Sequence, residues 1–376
     1  MSVERFSLLT DIFSCNNILF FIYFTYRGDS MSNIEYFKNA GYGMMMHFGL
    51  YSLLGGEYKG RFGDNYAEWI GSHFAIPIKE YEKLAAAFNP IYFNADEIIK
   101  LAKDCGMKYF VVTTKHHDGF ALFHSKVDKY NVVDATPYGK DIIEQLANAC
   151  AKHNVKLGFY YSQDLDWHEK HGGGYLSNHL GCSGVTWDNS WDFPNPDEKN
   201  FDICFENKIL PQIKEIMSNY GDIFLSWFDV PMTLSDKQSK IIYDTVKSLQ
   251  PDCLINSRLG NGMYDYVSLG DNEIPKTKEE WERLSKINPD EVNYQSIDGF
   301  KPSPFGLYES ACTLNNSWGF SYRDHNWKSP EELYKNKKHL NELGINYLVN
   351  VGPDHLGRIT GPSIEILRKA AEMENK

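Results

Sequence analysis

The chain has 376 residues, of which 42% are hydrophobic and 23% charged, so its composition is that of a folded globular protein and excludes a disordered or collagenous one. The 38 Lys and Arg against 50 Asp and Glu give a net charge of −12, which repels phosphate backbones and argues against nucleic-acid binding. Aromatic residues reach 15%. Flat rings commonly grip sugars, although core packing is the simpler explanation for any single ring.

The first thirty residues differ from the rest of the chain. Their apolar stretch, Leu19 to Tyr26, is too short to span a bilayer, so we expect no membrane anchoring. No small-x-small cleavage site precedes Gly28, so the segment does not resemble a secretion signal. Secretion remains the alternative if residues 1–30 do act as a signal. Globular patterning begins at Met31. We therefore expect residues 1–30 to be an extension of a catalytic domain at 31–376, with a short element packed under the fold as the alternative.

Seven cysteines are scattered along the chain without CxxC spacing. Such a pattern predicts neither a disulfide framework nor a zinc ribbon. Several lie in apolar runs, as Cys105 does, so we expect buried free thiols and a reducing, cytoplasmic location. The cysteines are Cys15, Cys105, Cys150, Cys182, Cys204, Cys253 and Cys312.

Apolar, β-branched and aromatic runs alternate with longer amphipathic segments from residue 43 onward. The runs predict eight strands, at 43–49, 108–117, 156–162, 223–229, 253–258, 264–271, 305–313 and 345–352. The amphipathic segments predict helices at 96–105, 139–154, 205–220, 235–250, 329–344 and 363–375. This alternation predicts an α/β fold, a (β/α)8 barrel, irregular because the fifth and sixth strands leave no room for a helix between them. A doubly wound open sheet is the alternative, but no GxGxxG follows the first strand.

Polar and ionisable residues stand at the end of every predicted strand. In a (β/α)8 barrel these ends meet at one rim, where the active site forms. Isolated buried charges are costly, so the set favours a catalytic pocket over capping and core hydrogen bonds. The residues are His47, His116, His117, Asp118, Tyr161, Asp164, Asp229, Arg258, Asp271, Glu273, Glu309, Asn350 and Asp354.

The chemistry of this rim has several interpretations. Metal ligation by His116 and His117 is disfavoured, because neighbouring side chains on an extended chain point to opposite sides. A serine nucleophile is disfavoured by the lack of a GxSxG motif. Two carboxyl groups about 5 to 5.5 Å apart would make a retaining glycosidase. Asp229, kept ionised by Arg258, could pair with Glu273 or Glu309.

Several motifs together resemble family 29 of the glycoside hydrolases, the α-L-fucosidases. They are MMMHFGLYS, YAEWI, KHHDGFALFHS, LGFYYSQDLDW, LSWFD, INSRLG, NNSWGF and NYLVNVGPDHLGRI. The resemblance implies a retaining barrel enzyme that removes terminal α-L-fucose from a fucosylated oligosaccharide or glycoconjugate and needs no cofactor or metal. Two features depart from many relatives. Val230 stands where many have glycine, so we expect a different rim beside Asp229, and no C-terminal β-sandwich follows the barrel.

The resemblance also implies roles for individual residues. Asp229 matches the family's nucleophile. We assign the acid/base to Glu273, with Glu309 as the alternative. The positions that match fucose-holding residues are His47, Glu68, Trp69, His116, His117, Tyr161 and Arg258, and Trp318 matches an aromatic residue that borders the sugar. A catalytically inactive sugar-binding barrel and a metal-dependent barrel hydrolase using His116 and His117 are the alternative functions.

Overall fold

Eight parallel strands form one curved sheet in the computed structural model, which describes residues 31–63, 66–177, 180–181, 184–280 and 302–375. In chain order the strands of the chain are β1 (Tyr42–Met46), β2 (Glu57–Tyr58), β3 (Arg61–Phe62), β4 (Tyr109–Lys115), β5 (Lys156–Tyr161), β6 (Leu225–Phe228), β7 (Leu254–Ile255), β8 (Val267–Ser268), β9 (Tyr308–Thr313) and β10 (Asn346–Val351). β2 and β3 make a small antiparallel hairpin. The other eight lie in the order β7-β6-β5-β4-β1-β10-β9-β8.

The two edge strands of this sheet, β7 and β8, are joined by a single parallel bridge between Asn256 and Tyr266. The bridge closes the sheet on itself, so the (β/α)8 barrel prediction is confirmed and the open-sheet alternative is wrong. Each of the eight predicted strands is present. β7 and β8 have only two residues each, and only the single turn Ser257–Leu259 follows β7, as expected for an irregular barrel.

All six predicted helices are present, with ends shifted by a few residues. The described α-helices are Asn33–Ala40, Tyr51–Leu54, Ile70–His73, Ile78–Tyr81, Ala95–Asp104, Ile142–His153, Phe201–Cys204, Leu210–Asn219, Asp236–Leu249, Pro330–Glu342 and Gly361–Glu372. Phe205–Ile209 is a π-helical turn. Four of the longer helices begin where a short polar side chain accepts a hydrogen bond from the amide three residues later, as Asp141 does from Glu144 and Ser329 from Glu332.

Side chains fill the inside of the barrel up to its carboxyl end. Phe37, on the helix Asn33–Ala40, lies against Tyr109, Phe224 and Tyr266. Tyr109 opens β4, so these rings occupy the amino end of the barrel. A larger apolar cluster packs between the strands and the surrounding helices. The carboxyl end is therefore where a pocket can form.

Residues 32–376 form one compact unit, and the predicted extension at 1–30 lies outside the described residues. No described helix combines the length and the apolar character that a membrane crossing requires. Among the described residues, no strand follows β10. The five described cysteines are buried free thiols, as predicted: Cys105, Cys150, Cys204, Cys253 and Cys312. Cys15 and Cys182 lie outside the described part of the chain.

Candidate active site

A pocket of about 350 Å³ opens at the carboxyl ends of the barrel strands. The rim position is where (β/α)8 barrels carry out their chemistry. Its walls combine charged groups with aromatic rings. The pocket is lined by Met45, His47, Tyr66, Glu68, Trp69, His116, Tyr160, Trp227, Asp229, Val230, Arg258, Asp271 and Trp318.

Arg258 joins two carboxylates at the pocket. One terminal nitrogen donates to Oδ1 of Asp229 at 2.9 Å, and the other donates to Oδ1 of Asp271 at 2.6 Å. Asp229 immediately follows β6, Arg258 lies in the turn after β7, and Asp271 follows β8. Burial raises the pKa of Asp229, while the Arg258 guanidinium opposes this shift and Asp271 adds to it. One buried guanidinium therefore binds two carboxyl groups from neighbouring parts of the rim.

The floor of the pocket is a stack of Tyr160, Trp227 and Arg258. The rings of Tyr160 and Trp227 lie 5.5 Å apart with an interplanar angle of 19°, and the guanidinium carbon of Arg258 lies 4.5 Å above the Trp227 ring. The hydroxyl of Tyr160 also donates to Asp229 Oδ2. This stack fixes the plane of the guanidinium, and with it the position of the carboxylate that Arg258 binds.

The structure does not bring Tyr161 to the pocket. Its hydroxyl donates to Gln212 at 2.8 Å, on the helix Leu210–Asn219 outside the barrel. Successive side chains of a strand point to opposite faces, so its neighbour Tyr160 points inward instead. The structure therefore places Tyr160, and not the predicted Tyr161, at the pocket.

Three buried histidines, His47, His116 and His117, lie at or beside the pocket. Nδ1 of His47 lies 2.7 Å from Oδ1 of Asn350, and Nδ1 of His117 lies 2.7 Å from Oγ of Ser162. Nε2 of His117 is 3.9 Å from Oδ2 of Asp229. Burial lowers the pKa of His47 to about 4 and the pKa values of His116 and His117 well below their usual range.

These histidines are therefore neutral, with ring nitrogens that can bond to hydroxyl groups. His47 and His116 line the pocket, and Nδ1 of His116 has no hydrogen-bond partner within the described protein.

Glu68 brings a further carboxyl group into the pocket. Its Oε2 accepts the amide of Gly319 at 2.7 Å, while its buried Oε1 has no partner among the described residues. Burial raises the pKa of Glu68 to about 7. Trp69 and Trp318 line the same pocket, and Trp318 lies 5.1 Å from the His47 ring. A free carboxyl oxygen between ring faces suits a ligand with hydroxyl groups on an apolar ring.

Neither predicted acid/base residue lines the pocket. Oε2 of Glu273 accepts the amide of Gly270 at 2.8 Å, so this side chain folds back on its own turn. Glu309 is the second residue of β9 and is fully buried, where it accepts from Tyr109 at 2.6 Å and Trp227 at 2.9 Å. Burial raises the pKa of Glu309 to about 7.

Glu309 therefore supports the pocket floor from below. The pocket carboxyl groups are those of Glu68, Asp229 and Asp271, and of these Asp229 and Asp271 share Arg258. Asp271 stands at the end of the predicted strand 264–271, a position that indicates the rim but does not distinguish Asp271 from Glu273.

One group of three metal-type ligands lies together in the described part of the chain, and it consists of Asp128, His168 and Glu169. Nζ of Lys208 already lies 2.8 Å from Oδ2 of Asp128, so an ammonium group occupies the place that a cation would take. His116 and His117 do not belong to this group.

Comparison with known proteins relates this chain to one family. A family model described as Alpha-L-fucosidase matches residues 25–373. The α-L-fucosidase AlfC from Lactobacillus casei, solved in complex with α-L-fucose product, is 63% identical with a TM-score of 0.83, and the match covers 91% of this chain and 98% of that one. AlfC has also been solved in complex with Fuca(1,6)GlcNAc.

More distant relatives carry the same description. The α-L-fucosidase from Vibrio sp. strain EJY3 is 31% identical with a TM-score of 0.77, over 91% of this chain and 55% of that one. Alpha-L-fucosidase 1 from Arabidopsis thaliana is 27% identical over 302 residues, which are 77% of this chain and 53% of the relative. The chain thus spans about half the length of that relative.

Proposed function

Because the chain belongs to the α-L-fucosidase family, we propose that it is a retaining α-L-fucosidase that acts through a covalent fucosyl–aspartate intermediate. The observation that carries the proposal is the pair of pocket carboxylates, Asp229 and Asp271, bound to one guanidinium. A shared cation favours the short carboxyl separation of a retaining enzyme over the wider one of an inverting enzyme.

In the first step, a carboxylate oxygen of Asp229 attacks the anomeric carbon of fucose. Asp271 donates its proton to the departing glycosidic oxygen, so the bond to the leaving group breaks as the bond to Asp229 forms. In the second step, Asp271 removes a proton from water, the water oxygen attacks the anomeric carbon, and Asp229 is released as a carboxylate. Arg258 and Tyr160 stabilise the carboxylate form of Asp229 before attack and after release.

The remaining pocket residues hold the sugar in this proposal. Glu68, His47 and His116 bond its hydroxyl groups, while Trp69 and Trp318 cover its apolar faces. This arrangement needs no metal or other cofactor. The complex of AlfC with Fuca(1,6)GlcNAc supports an α-1,6-linked fucosyl-N-acetylglucosamine as the substrate of this chain as well.

The test is turnover of two substrates, 4-nitrophenyl α-L-fucoside and Fuca(1,6)GlcNAc, with the Asp229→Ala variant as the control. We expect the parent protein to hydrolyse both substrates and the variant to hydrolyse neither. Binding of fucose without turnover would instead identify an inactive sugar-binding barrel. Loss of turnover in EDTA, restored by a divalent metal, would identify a metal-dependent hydrolase.

A further inference from the structure

Two adjacent residues after β5, Gln163 and Asp164, are fully buried and are not themselves among the residues that line the pocket. Gln163 uses both ends of its side-chain amide. Its Oε1 accepts the backbone N–H of Asp229 at 2.8 Å, and its Nε2 donates to the backbone carbonyl of Arg258 at 3.0 Å. One side chain therefore connects the main chains of the two residues that form the ion pair at the pocket.

Asp164 binds the same loop a few residues further along. Its Oδ2 accepts the backbone N–H groups of Thr233 at 2.6 Å and of Leu234 at 2.7 Å. Amide hydrogen bonds to a buried carboxylate are stronger than those to a neutral acceptor. The segment from Asp229 to Leu234 is thus held at its first residue by Gln163 and at its last two by Asp164.

Between these two attachments the backbone is strained. Val230 has a φ of +54°, in the left-handed region that β-branched residues rarely adopt. Its side chain is buried in a cluster with Trp69 and Trp187. Such a conformation persists only where its surroundings impose it, and the hydrogen bonds of Gln163 and Asp164 supply that restraint.

We propose that Gln163 and Asp164 are positioning residues for the nucleophile, which together hold the segment 229–234 in its strained form and keep the Asp229 carboxylate on Arg258. This inference rests on the proposed function, because it assigns to Asp229 the attack on the anomeric carbon. A displacement of about 1 Å in a reacting group can lower the rate by about a hundredfold, so backbone restraints of this kind affect turnover strongly.

The chain offers a matched control in Gln212, another fully buried glutamine whose side chain also makes two hydrogen bonds. Its Oε1 accepts from Tyr161 at 2.8 Å, and its Nε2 donates to Ser125 Oγ at 3.2 Å. These bonds lie outside the barrel. A purely structural role for Gln163 would make the two glutamines equivalent in their effect on catalysis.

The experiment compares Gln163→Met with Gln212→Met, since methionine keeps the length of the side chain and removes both hydrogen bonds. We expect both variants to melt at a lower temperature than the parent. For Gln163→Met we expect kcat on 4-nitrophenyl α-L-fucoside to fall about 10- to 100-fold with KM changed less than about threefold. Gln212→Met should keep kcat within about twofold of the parent. Equal losses of kcat in both variants would overturn the inference.

A second variant keeps the inference testable if Gln163→Met does not fold. Asp164→Asn preserves the shape of the side chain but removes its charge, and we expect kcat to fall about three- to tenfold at unchanged KM. Full kcat in folded Asp164→Asn would overturn the role of this residue. A parent protein that hydrolyses no α-L-fucoside would contradict the proposed function itself, and this outcome is seen before any variant is compared.

Discussion

The hydroxyl of Tyr160 donates a hydrogen bond to Oδ2 of Asp229 at 3.0 Å. This bond lowers the pKa of Asp229 against the effect of burial. Tyr160→Phe should therefore raise that pKa and move the acidic limb of the kcat/KM profile upward by about one pH unit. Tyr161→Phe is the matched control, because Tyr161 bonds to Gln212 outside the barrel. An unmoved limb in Tyr160→Phe, or an equal shift in both variants, would contradict this assignment.

Removal of the proposed nucleophile should nearly abolish turnover. We expect Asp229→Gly to lower kcat by at least about a thousandfold, since the proposed covalent intermediate forms on the Asp229 carboxylate. Azide, a small nucleophile that fits the vacated space, should restore part of the rate and yield a fucosyl azide. The product can be identified by mass spectrometry and NMR. Near-parental activity in the folded variant without azide would exclude this role for Asp229.

The acid/base residue can be identified by its dependence on the leaving group. Asp271→Ala should lower hydrolysis of Fuca(1,6)GlcNAc far more than attack on 4-nitrophenyl α-L-fucoside, because nitrophenolate departs without a proton. Glu273→Ala is the control, since the Glu273 carboxylate bonds to Gly270 in its own turn. Steady-state kinetics on both substrates measures the two ratios. The opposite pattern would restore Glu273 as the acid/base and exclude Asp271.

The stereochemistry of the first product tests the retaining mechanism directly. Two successive displacements at the anomeric carbon leave its configuration unchanged, so α-L-fucose should be released first. Proton NMR recorded before mutarotation distinguishes the two anomers. The β-anomer as first product would mean single displacement by water and a wider carboxyl separation.

Glu309 should affect the pH dependence of stability. Its pKa is raised by burial to about 7, so the folded protein keeps a proton that the unfolded chain loses near pH 4.3. Stability therefore falls as the pH rises from about 4.3 to about 7, because ionisation favours the unfolded chain. Glutamine mimics the neutral acid, so Glu309→Gln should reduce the drop in Tm between pH 5 and pH 8. An unchanged drop would show that Glu309 does not ionise in this way.

The sequence predicts all eight barrel strands because parallel strands buried on both faces appear as continuous apolar runs. The same continuity hides which residues face inward, and this is why Tyr161 was assigned instead of Tyr160. Asp229 and Arg258 could be placed at the pocket because each stands at the end of a short, predicted apolar strand. The position of Glu309 below the pocket could not be predicted. The predicted strand 305–313 does not reveal that β9 begins at Tyr308 and therefore carries Glu309 low inside the barrel.

The position of the Glu273 side chain could not be predicted for a different physical reason. Asp271 and Glu273 both follow β8, and the sequence contains no signal that separates a residue on the rim from one that turns back. The separation depends on the hydrogen bond from the Gly270 amide to Glu273, which forms only in the folded turn. Turn geometry at strand ends therefore limits assignment of catalytic roles more than strand prediction does.

The single bridge between Asn256 and Tyr266 is the seam of the barrel, and the charged residues Arg258 and Asp271 of the pocket lie on its two sides. Arg258 follows β7 and Asp271 follows β8. Their ion pair therefore connects the two strands that share only a single bridge. Replacement of Asp271 thus removes the proposed proton donor and, at the same time, an ion pair between the ends of β7 and β8. A variant that replaces Asp271 should therefore also carry a substitution that stabilises the contact between β7 and β8.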